Sequence, residues 1–312
     1  MKITIAGGAG AMGSIFGGRL HQNGQDVLLY DVAEPAVKKI NESGLRIIDK
    51  NGNTETIPVK ASTIPADTKN SDAVIIFTKC FHTGSAIKSL QPFFKPTTKI
   101  ISLQNGWGNA QTISNITGKE NLLLGVNYIS GTLLEPGYVK QVGNPVAYIG
   151  RWEDQADDFT HSFSTLLSET GIQTKACDDV VTEIWKKLAL NVATLPTATL
   201  LRFQAHLLVA YEPVIELMKK LLDEMVQVAH ALNISIEYEE RLNTITGLLK
   251  NAVGAKGSML QDAEASRRTE IDVINGAIVS AGKELNIPTP FNESMVLLIK
   301  AMEQNYLQGK QN

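Results

Sequence analysis

Lys187 and Asn191 stand four residues apart in the stretch "TEIWKKLALNVATLP", Thr182 to Pro196. On an α-helix that spacing puts an ammonium and an amide on one stripe. An ammonium with a pKa near ~10 is protonated at neutral pH, so it can stabilise an oxygen that gains negative charge and then give it a proton. Reduction of a carbonyl calls for such a pair. At about 100° per residue, Val181, Ile184, Trp185, Leu188, Val192 and Leu195 form one apolar face. Lys186 then points about 150° from its centre, toward water, whereas Lys187 lies about 110° away, at the edge of the buried face and in line with Asn191 and Thr194. From this helix alone, a lysine snorkelling out of the core edge is the simpler account of Lys187.

A second set of residues suits a phosphate. In "ITIAGGAGAMGSIFGGRL" the glycines Gly8, Gly10 and Gly13 fit G-x-G-x-x-G where an apolar strand turns into a helix. Glycine lets the backbone turn tightly and lets a pyrophosphate approach the helix N-terminus, whose first N–H groups, at Ala11, Met12 and Gly13, favour negative charge. Asp31, in "DVLLYDVAEP", stands about 20 residues beyond the loop, where an acid bonds the adenosine ribose. It would repel a 2'-phosphate, and no basic residue follows before Lys38, so NAD(H) is favoured over NADP(H). The competing readings are a structural Gly-rich turn and a turn-forming or helix-capping aspartate.

Ligands of open α/β sheets sit outside the carboxyl ends of the strands. Two polar residues occupy such ends: Lys79 after "AVIIFT", and Asn105 in "ISLQNGWG". Lys79 could meet a cofactor phosphate or a substrate carboxylate, the alternative being a solvated loop lysine. Asn105 offers both donor and acceptor to the nicotinamide ribose or to substrate, the alternative being a turn residue before glycine.

The elements that must carry these residues follow from the pattern along the chain. Up to about residue 150, short β-branched runs alternate with helical or turn segments ("KITIAG", "DVLLYD", "DAVIIFTK", "TKIISLQNG", "NLLLGVNYIS", "YVKQVG", "VAYIG"). They predict an α/β, doubly wound parallel sheet, the last runs forming an antiparallel extension. From Val180 the patterns are helical, as in "LVAYEPVIELMKKLLDEMVQVAHALN" and "EIDVINGAIVSAGKELN", and "EQNYLQGKQN" reads as a frayed end. Residues 1–175 are thus expected to form a dinucleotide-binding domain and 176–312 a helical one, with a cleft between them.

Composition narrows the function classes. The 312 residues, 43% hydrophobic and 20% charged with a net charge of −3, show no basic excess for nucleic acid or an anionic membrane. Cys80 and Cys177 lie in no metal-ligand or redox spacing, and no apolar run reaches the ~20 residues of a membrane span. A cytoplasmic protein is expected, with a small molecule as partner and neither nucleic acid nor membrane. Leu190, apolar on the outer side of its helix, suggests a homodimer unless another helix of the same domain covers it.

The glycine loop, "TK" after the fourth strand, "NGWG", "EIWKKLALN", "SMLQD" and "RRTEIDVINGAI" together resemble the ketopantoate reductase (2-dehydropantoate 2-reductase) family over nearly the whole chain. The resemblance implies a Rossmann domain followed by a helical domain, and reduction of a 2-oxo acid by a nicotinamide cofactor. It implies that Lys187 is the general acid, that Asn191 is its partner, and that Asn105 touches cofactor and substrate. It further implies that Ser258 of "GSMLQD" binds substrate and that Glu270 of "RTEID" serves catalysis and the cofactor. Periodicity alone puts Glu270 about 70° from the centre of the Ile271, Ile274, Ile278 and Leu285 face, where a salt bridge to Arg267 or Arg268 would also explain it.

Two positions depart from the family pattern. Asp31 and Val32 stand where NADPH-using relatives have an arginine, and Leu195 stands where an asparagine is usual. Asp31 points toward the family's NAD-dependent D-2-hydroxyacid dehydrogenases, which act on bulky or branched 2-oxo acids. Leu195 bears on the substrate, because an apolar pocket selects differently from one built to bond a hydroxyl. A β-hydroxyacid dehydrogenase shares the Lys-x-x-x-Asn pair but not "SMLQD" and "TEID". A non-catalytic nucleotide-binding module would have no use for Lys187, Asn191, Ser258 and Glu270.

Overall fold

The computed structural model describes residues 1–143 and 145–309. The chain forms two compact units: Met1–Gln104 with Asn109–Val180, and Asn105–Gly108 with the chain from Val181 onward.

Among the described residues the first unit holds twelve strands: β1 Lys2–Ala6, β2 Asp26–Tyr30, β3 Leu45–Ile48, β4 Thr54–Ile57, β5 Lys60–Ser62, β6 Ala73–Ile76, β7 Lys99–Ser102, β8 Leu122–Asn127, β9 Ser130–Glu135, β10 Tyr138–Val142, β11 Val146–Arg151 and β12 Gln173–Ala176. Eight make one sheet in the order β12-β11-β8-β7-β6-β1-β2-β5. The run from β5 to β8 is parallel. Its strands read as continuous apolar runs because both faces are covered, and every residue of β6 is buried. β11 pairs antiparallel with β8, as expected for "VAYIG".

"YVKQVG" does not extend that sheet. Its strand, β10, pairs with β3 and β9 in a separate four-stranded sheet ordered β4-β3-β10-β9. The helices of this unit are α1 Ala11–Gln22, α2 Glu34–Ser43, α3 Thr83–Leu90, α4 Asn109–Thr117 and α5 Asp158–Glu169. The adjacent glycines of α1 explain how one helix serves two sheets. A Cβ on Gly17 would lie 2.3 Å from Leu29 Cδ2 of β2, and one on Gly18 would lie 2.7 Å from Ile47 Cδ1 of β3.

The second unit contains α6 Val180–Leu201, α7 Glu212–Ala231, α8 Tyr238–Asn251, α9 Ser258–Glu264, α10 Asn275–Leu285 and α11 Pro290–Gln308. Its core gathers Trp185, Leu188 and Val192 of α6 with Met218, Leu221 and Met225 of α7 and Ile278 of α10. Leu190 packs against this core from within the unit, which removes the reason for assigning it to a dimer contact.

Three helical expectations shift. "EIDVINGAIV" is not one helix: Ile271–Val273 form a 3-10 turn, and Ile274, at φ −104 and ψ −97, breaks the chain before α10. The long "LVAYEPVIEL" pattern begins as helix only at Glu212, with Pro213 in its first turn. The C-terminal tail is helical through Gln308, held by buried Glu303, whose carboxylate accepts a 2.6 Å bond from Thr269 N; residues 310–312 of that tail lie outside the described residues. No described helix is long and apolar enough to cross a membrane.

Candidate active site

Three sequence-predicted residues converge in the second unit. Lys187 Nζ donates a 2.8 Å hydrogen bond to Asn105 Oδ1. Burial drives the Lys187 ammonium down from 10.5 to about 8, against the opposing pull of the Glu270 carboxylate. Glu270 is itself buried, 7% exposed. Because it precedes the 3-10 turn, Glu270 lies on no face of α10, and the helical angle assigned to it does not apply. Arg267 pairs with Asp262 at 3.0 Å and Arg268 with Asp272 at 3.0 Å.

Asn105 reaches Lys187 through a short loop anchored among the helices. Trp107 N donates to Val273 O at 2.8 Å, and the Trp107 ring meets Trp185 edge-on with centroids 5.7 Å apart. Gly106 sits at φ +84, and a Cβ there would lie 2.3 Å from Val273 O. Only glycine allows this approach. The loop is thereby fastened both to the turn that follows Glu270 and to the helix that carries Lys187. Neither Gly106 nor Trp107 stood among the sequence candidates; the rare aromatic after "NG" was the available signal.

The other candidates flank this group. Asn191 is buried, 7% exposed, one turn after Lys187. Thr194, two turns on and buried, donates its hydroxyl to Leu190 O at 2.7 Å within the helix. Ser258 is exposed at the start of α9. Leu195 packs beside it, for a Cβ on Gly257 would lie 2.7 Å from Leu195 Cδ2. Lys186 is partly exposed and bonds Glu183 at 2.8 Å, one turn back.

The nucleotide candidates form their own cluster in the first unit. Gly7 and Gly8 both donate to Tyr30 O at 3.0 Å, folding the loop over the end of β2. A Cβ on Gly13 would fall 2.2 Å from Gly7 O, so the third glycine is sterically required. Gly10 precedes α1 with extended backbone and no side-chain cap, and Ser14 N makes the first intrahelical bond, to Gly10 O. The N–H groups of Ala11, Met12 and Gly13 therefore have no acceptor within the helix, which suits a pyrophosphate.

Asp31 does what the turn-forming reading expects: Oδ2 accepts from Ala9 N and Oδ1 from Ala33 N, both at 3.0 Å. A carboxylate oxygen can accept more than one bond, so these contacts aim Asp31 without exhausting it for a ribose. Val32 beside it is 79% exposed. Lys79 is partly buried and precedes the 3-10 turn Cys80–His82. Its neighbour Thr78 lies against the glycine loop, since a Cβ on Gly7, at φ +80, would stand 2.8 Å from Thr78 N. Gly7 escaped the sequence motif, as did Gln104, whose amide bonds Thr78 O and Thr83 Oγ1 at 2.7 Å each and ties the ends of β6 and β7.

The description of the family "Ketopantoate reductase PanE/ApbA" matches residues 3–154, and that of its C-terminal part matches residues 179–303. The chain belongs to the ketopantoate reductase family. Within it, the chain is 33% identical to a 2-dehydropantoate 2-reductase of Pyrococcus abyssi over 99% of this chain and 100% of the relative. It is 30% identical to one of Lactococcus lactis over 97% and 98%. Among solved structures, D-mandelate dehydrogenase with NADH and anilino(oxo)acetate is similar at TM-score 0.93 and 29% identity, covering 98% of this chain and 99% of that one. A PanE/ApbA family ketopantoate reductase from Ralstonia eutropha JMP134 follows at TM-score 0.91 and 27% identity, covering 98% and 100%. This ketopantoate reductase family member is thus an oxidoreductase using a nicotinamide cofactor, with the family's N-terminal Rossmann sheet and helical C-terminal part.

Proposed function

We propose that the protein reduces the 2-oxo group of a branched 2-oxo acid, ketopantoate or a close analogue, to the D-hydroxy acid, with Lys187 as general acid and NADH as preferred cofactor. The observation that carries this reading is the Lys187–Asn105 bond beside buried Glu270. The cofactor supplies the hydride. Every other part falls to the chain's own residues.

Lys187 holds its proton at Nζ in an orientation fixed by Asn105 Oδ1. Its pKa of about 8 makes it a readier donor near neutrality than an ordinary lysine, while leaving it mostly protonated there. As negative charge grows on the substrate oxygen, an ammonium already oriented stabilises it without reorganising. Glu270 keeps that ammonium charged despite burial. Asn105, Asn191 and Ser258 orient the substrate, with Asn105 and Glu270 also meeting the cofactor. Gly8, Gly10, Ala11, Met12 and Gly13 cradle the pyrophosphate, Lys79 adds positive charge beside it, and Asp31 binds the ribose and disfavours a 2'-phosphate.

Leu195 supports a second reading, an NAD-dependent D-2-hydroxyacid dehydrogenase for bulky apolar 2-oxo acids. It packs on Gly257 next to Ser258, which gives the substrate side an apolar element where an amide would have bonded a hydroxyl. The similarity to D-mandelate dehydrogenase agrees with it. Oxidation of NADH and NADPH, followed at 340 nm (~) with ketopantoate, 2-oxoisovalerate and phenylglyoxylate, separates the two. Ketopantoate is expected to turn over with NADH, a preference for phenylglyoxylate selects the second reading, and no turnover with any 2-oxo acid overturns both.

A further inference from the structure

Pro196 lies inside α6, four residues after Val192 and five after Asn191. Proline has no N–H, so Val192 O loses its helical donor, and the ring presses the helix to bend there. A buried carbonyl left in that condition needs a partner from elsewhere. Asn275 provides it: Nδ2 donates to Val192 O at 3.1 Å.

We infer that Asn275 is a positioning residue for the reaction, replacing the hydrogen bond that Pro196 removes and so fixing the Lys187–Asn191 stretch of α6 against the turn that carries Glu270. Asn275 is fully buried and starts α10, five residues after Glu270 and two after Val273. Val273 O is also the acceptor that anchors Trp107 N and, with it, Asn105. The acid, its amide partner and its carboxylate therefore converge on one short segment, and Asn275 is that segment's bond to the acid's helix.

The amide is suited to this place because its nitrogen has two hydrogens. The second goes to Asn292 Oδ1 at 2.9 Å. Asn292 in turn donates to Glu224 Oε2 at 2.7 Å and to Leu221 O at 3.1 Å. Glu224 also accepts from Phe291 N and Asn292 N, so the first turn of α11 and the middle of α7 hold Asn292, and Asn292 holds Asn275. Leucine would fill the same volume with no donor; aspartate would set a carboxylate against a carbonyl.

The test compares wild type, Asn275→Leu, Pro196→Ala and the double variant, each checked for folding by circular dichroism and for NADH binding by fluorescence. Asn275→Leu should lower kcat by about 10- to 100-fold on the scale of a ~1 Å misplacement. It should also shift the alkaline limb of the pH profile, with NADH affinity unchanged. Pro196→Ala returns an N–H to Val192 O, so in that background Asn275→Leu should cost less than about a third of its original effect on kcat and on the unfolding midpoint. Equal losses in both backgrounds, or an unmoved pH profile, would overturn the inference. Should Asn275→Leu fail to fold, the same four-way comparison with Asn275→Ser decides it. The inference rests on Lys187 as acid, but the unfolding cycle does not: rescue by Pro196→Ala in stability with none in turnover would fault the catalytic reading and leave the Val192 pairing intact.

Discussion

Replacing Lys187 by methionine should make this protein more stable and nearly inactive at neutral pH. The folded chain lowers the Lys187 pKa from 10.5 to about 8, a difference of about 2.5 units (10.5 − 8). At about 1.4 kcal/mol per unit, burying the ammonium costs at most about 3.5 kcal/mol. Water at the partly exposed side chain reduces that, and Asn105 Oδ1 loses a donor bond worth about 1 kcal/mol. The net gain expected for Lys187→Met at pH 7 is about 1–2 kcal/mol.

The pH dependence carries the sign. The unfolded chain keeps the Lys187 proton up to pH 10.5, the folded chain only up to about 8. Between those values the unfolded state binds more protons, so wild type gains stability as pH rises. Below pH 8 the penalty is present in full. Urea unfolding at pH 7 and at pH 10 should therefore show the variant ahead at pH 7 and the gap narrowing by pH 10. In the NADH-oxidation assay kcat should fall by at least ~10², with NADH still bound. A variant less stable than wild type at pH 7, a gap indifferent to pH, or near-normal turnover would refute the reasoning.

Other perturbations test the same group. With Lys187 as the acid, kcat/KM for reduction should fall about tenfold per pH unit above about 8. Glu270→Gln removes the charge that opposes desolvation, so that limb should move to lower pH; a limb that stays in place counts against Glu270 acting on Lys187. Gly106→Ala puts a Cβ 2.3 Å from Val273 O in a backbone at φ +84. It should cost about 1–3 kcal/mol of stability and at least ~10-fold in kcat, read from thermal unfolding and steady-state kinetics.

How much of this was legible in the sequence depends on the range of the interactions. The glycine loop is local: Gly8, Gly10 and Gly13 serve a turn made within seven residues, and Asp31 bonds back to Ala9 along the neighbouring strand. Helical periodicity separated Lys187 from Lys186, although it could not foresee that Glu183 would pair with Lys186. What escaped is set by long-range bonds. Asn105 joins helices far along the chain, with Lys187 82 residues away, because Val273 O and Trp185 receive Trp107. The small sheet escaped because its strands are short and one of its pairings, β3 with β10, joins distant segments. Glu270 was misread because an apolar repeat at Ile271, Ile274 and Ile278 imitates a helix through a 3-10 turn and a break.

The edge position of Lys187 is what its chemistry needs. On the outer face of α6 an ammonium would keep the ordinary lysine value of ~10.4. Its contacts would go to solvent or to a neighbouring acid, as the contact of Lys186 goes to Glu183. Fully inside the core, with no carboxylate nearby, it would lose its proton and could not act as an acid at neutral pH. Between these extremes, burial supplies the downward shift and Glu270 limits it, leaving a pKa of about 8. An arginine could not be tuned this way, since guanidinium does not release its proton in proteins. The required balance depends on the distance between two segments more than eighty residues apart, which is why a hydrogen bond from Asn275 to a proline-orphaned carbonyl belongs to the chemistry as much as to the fold.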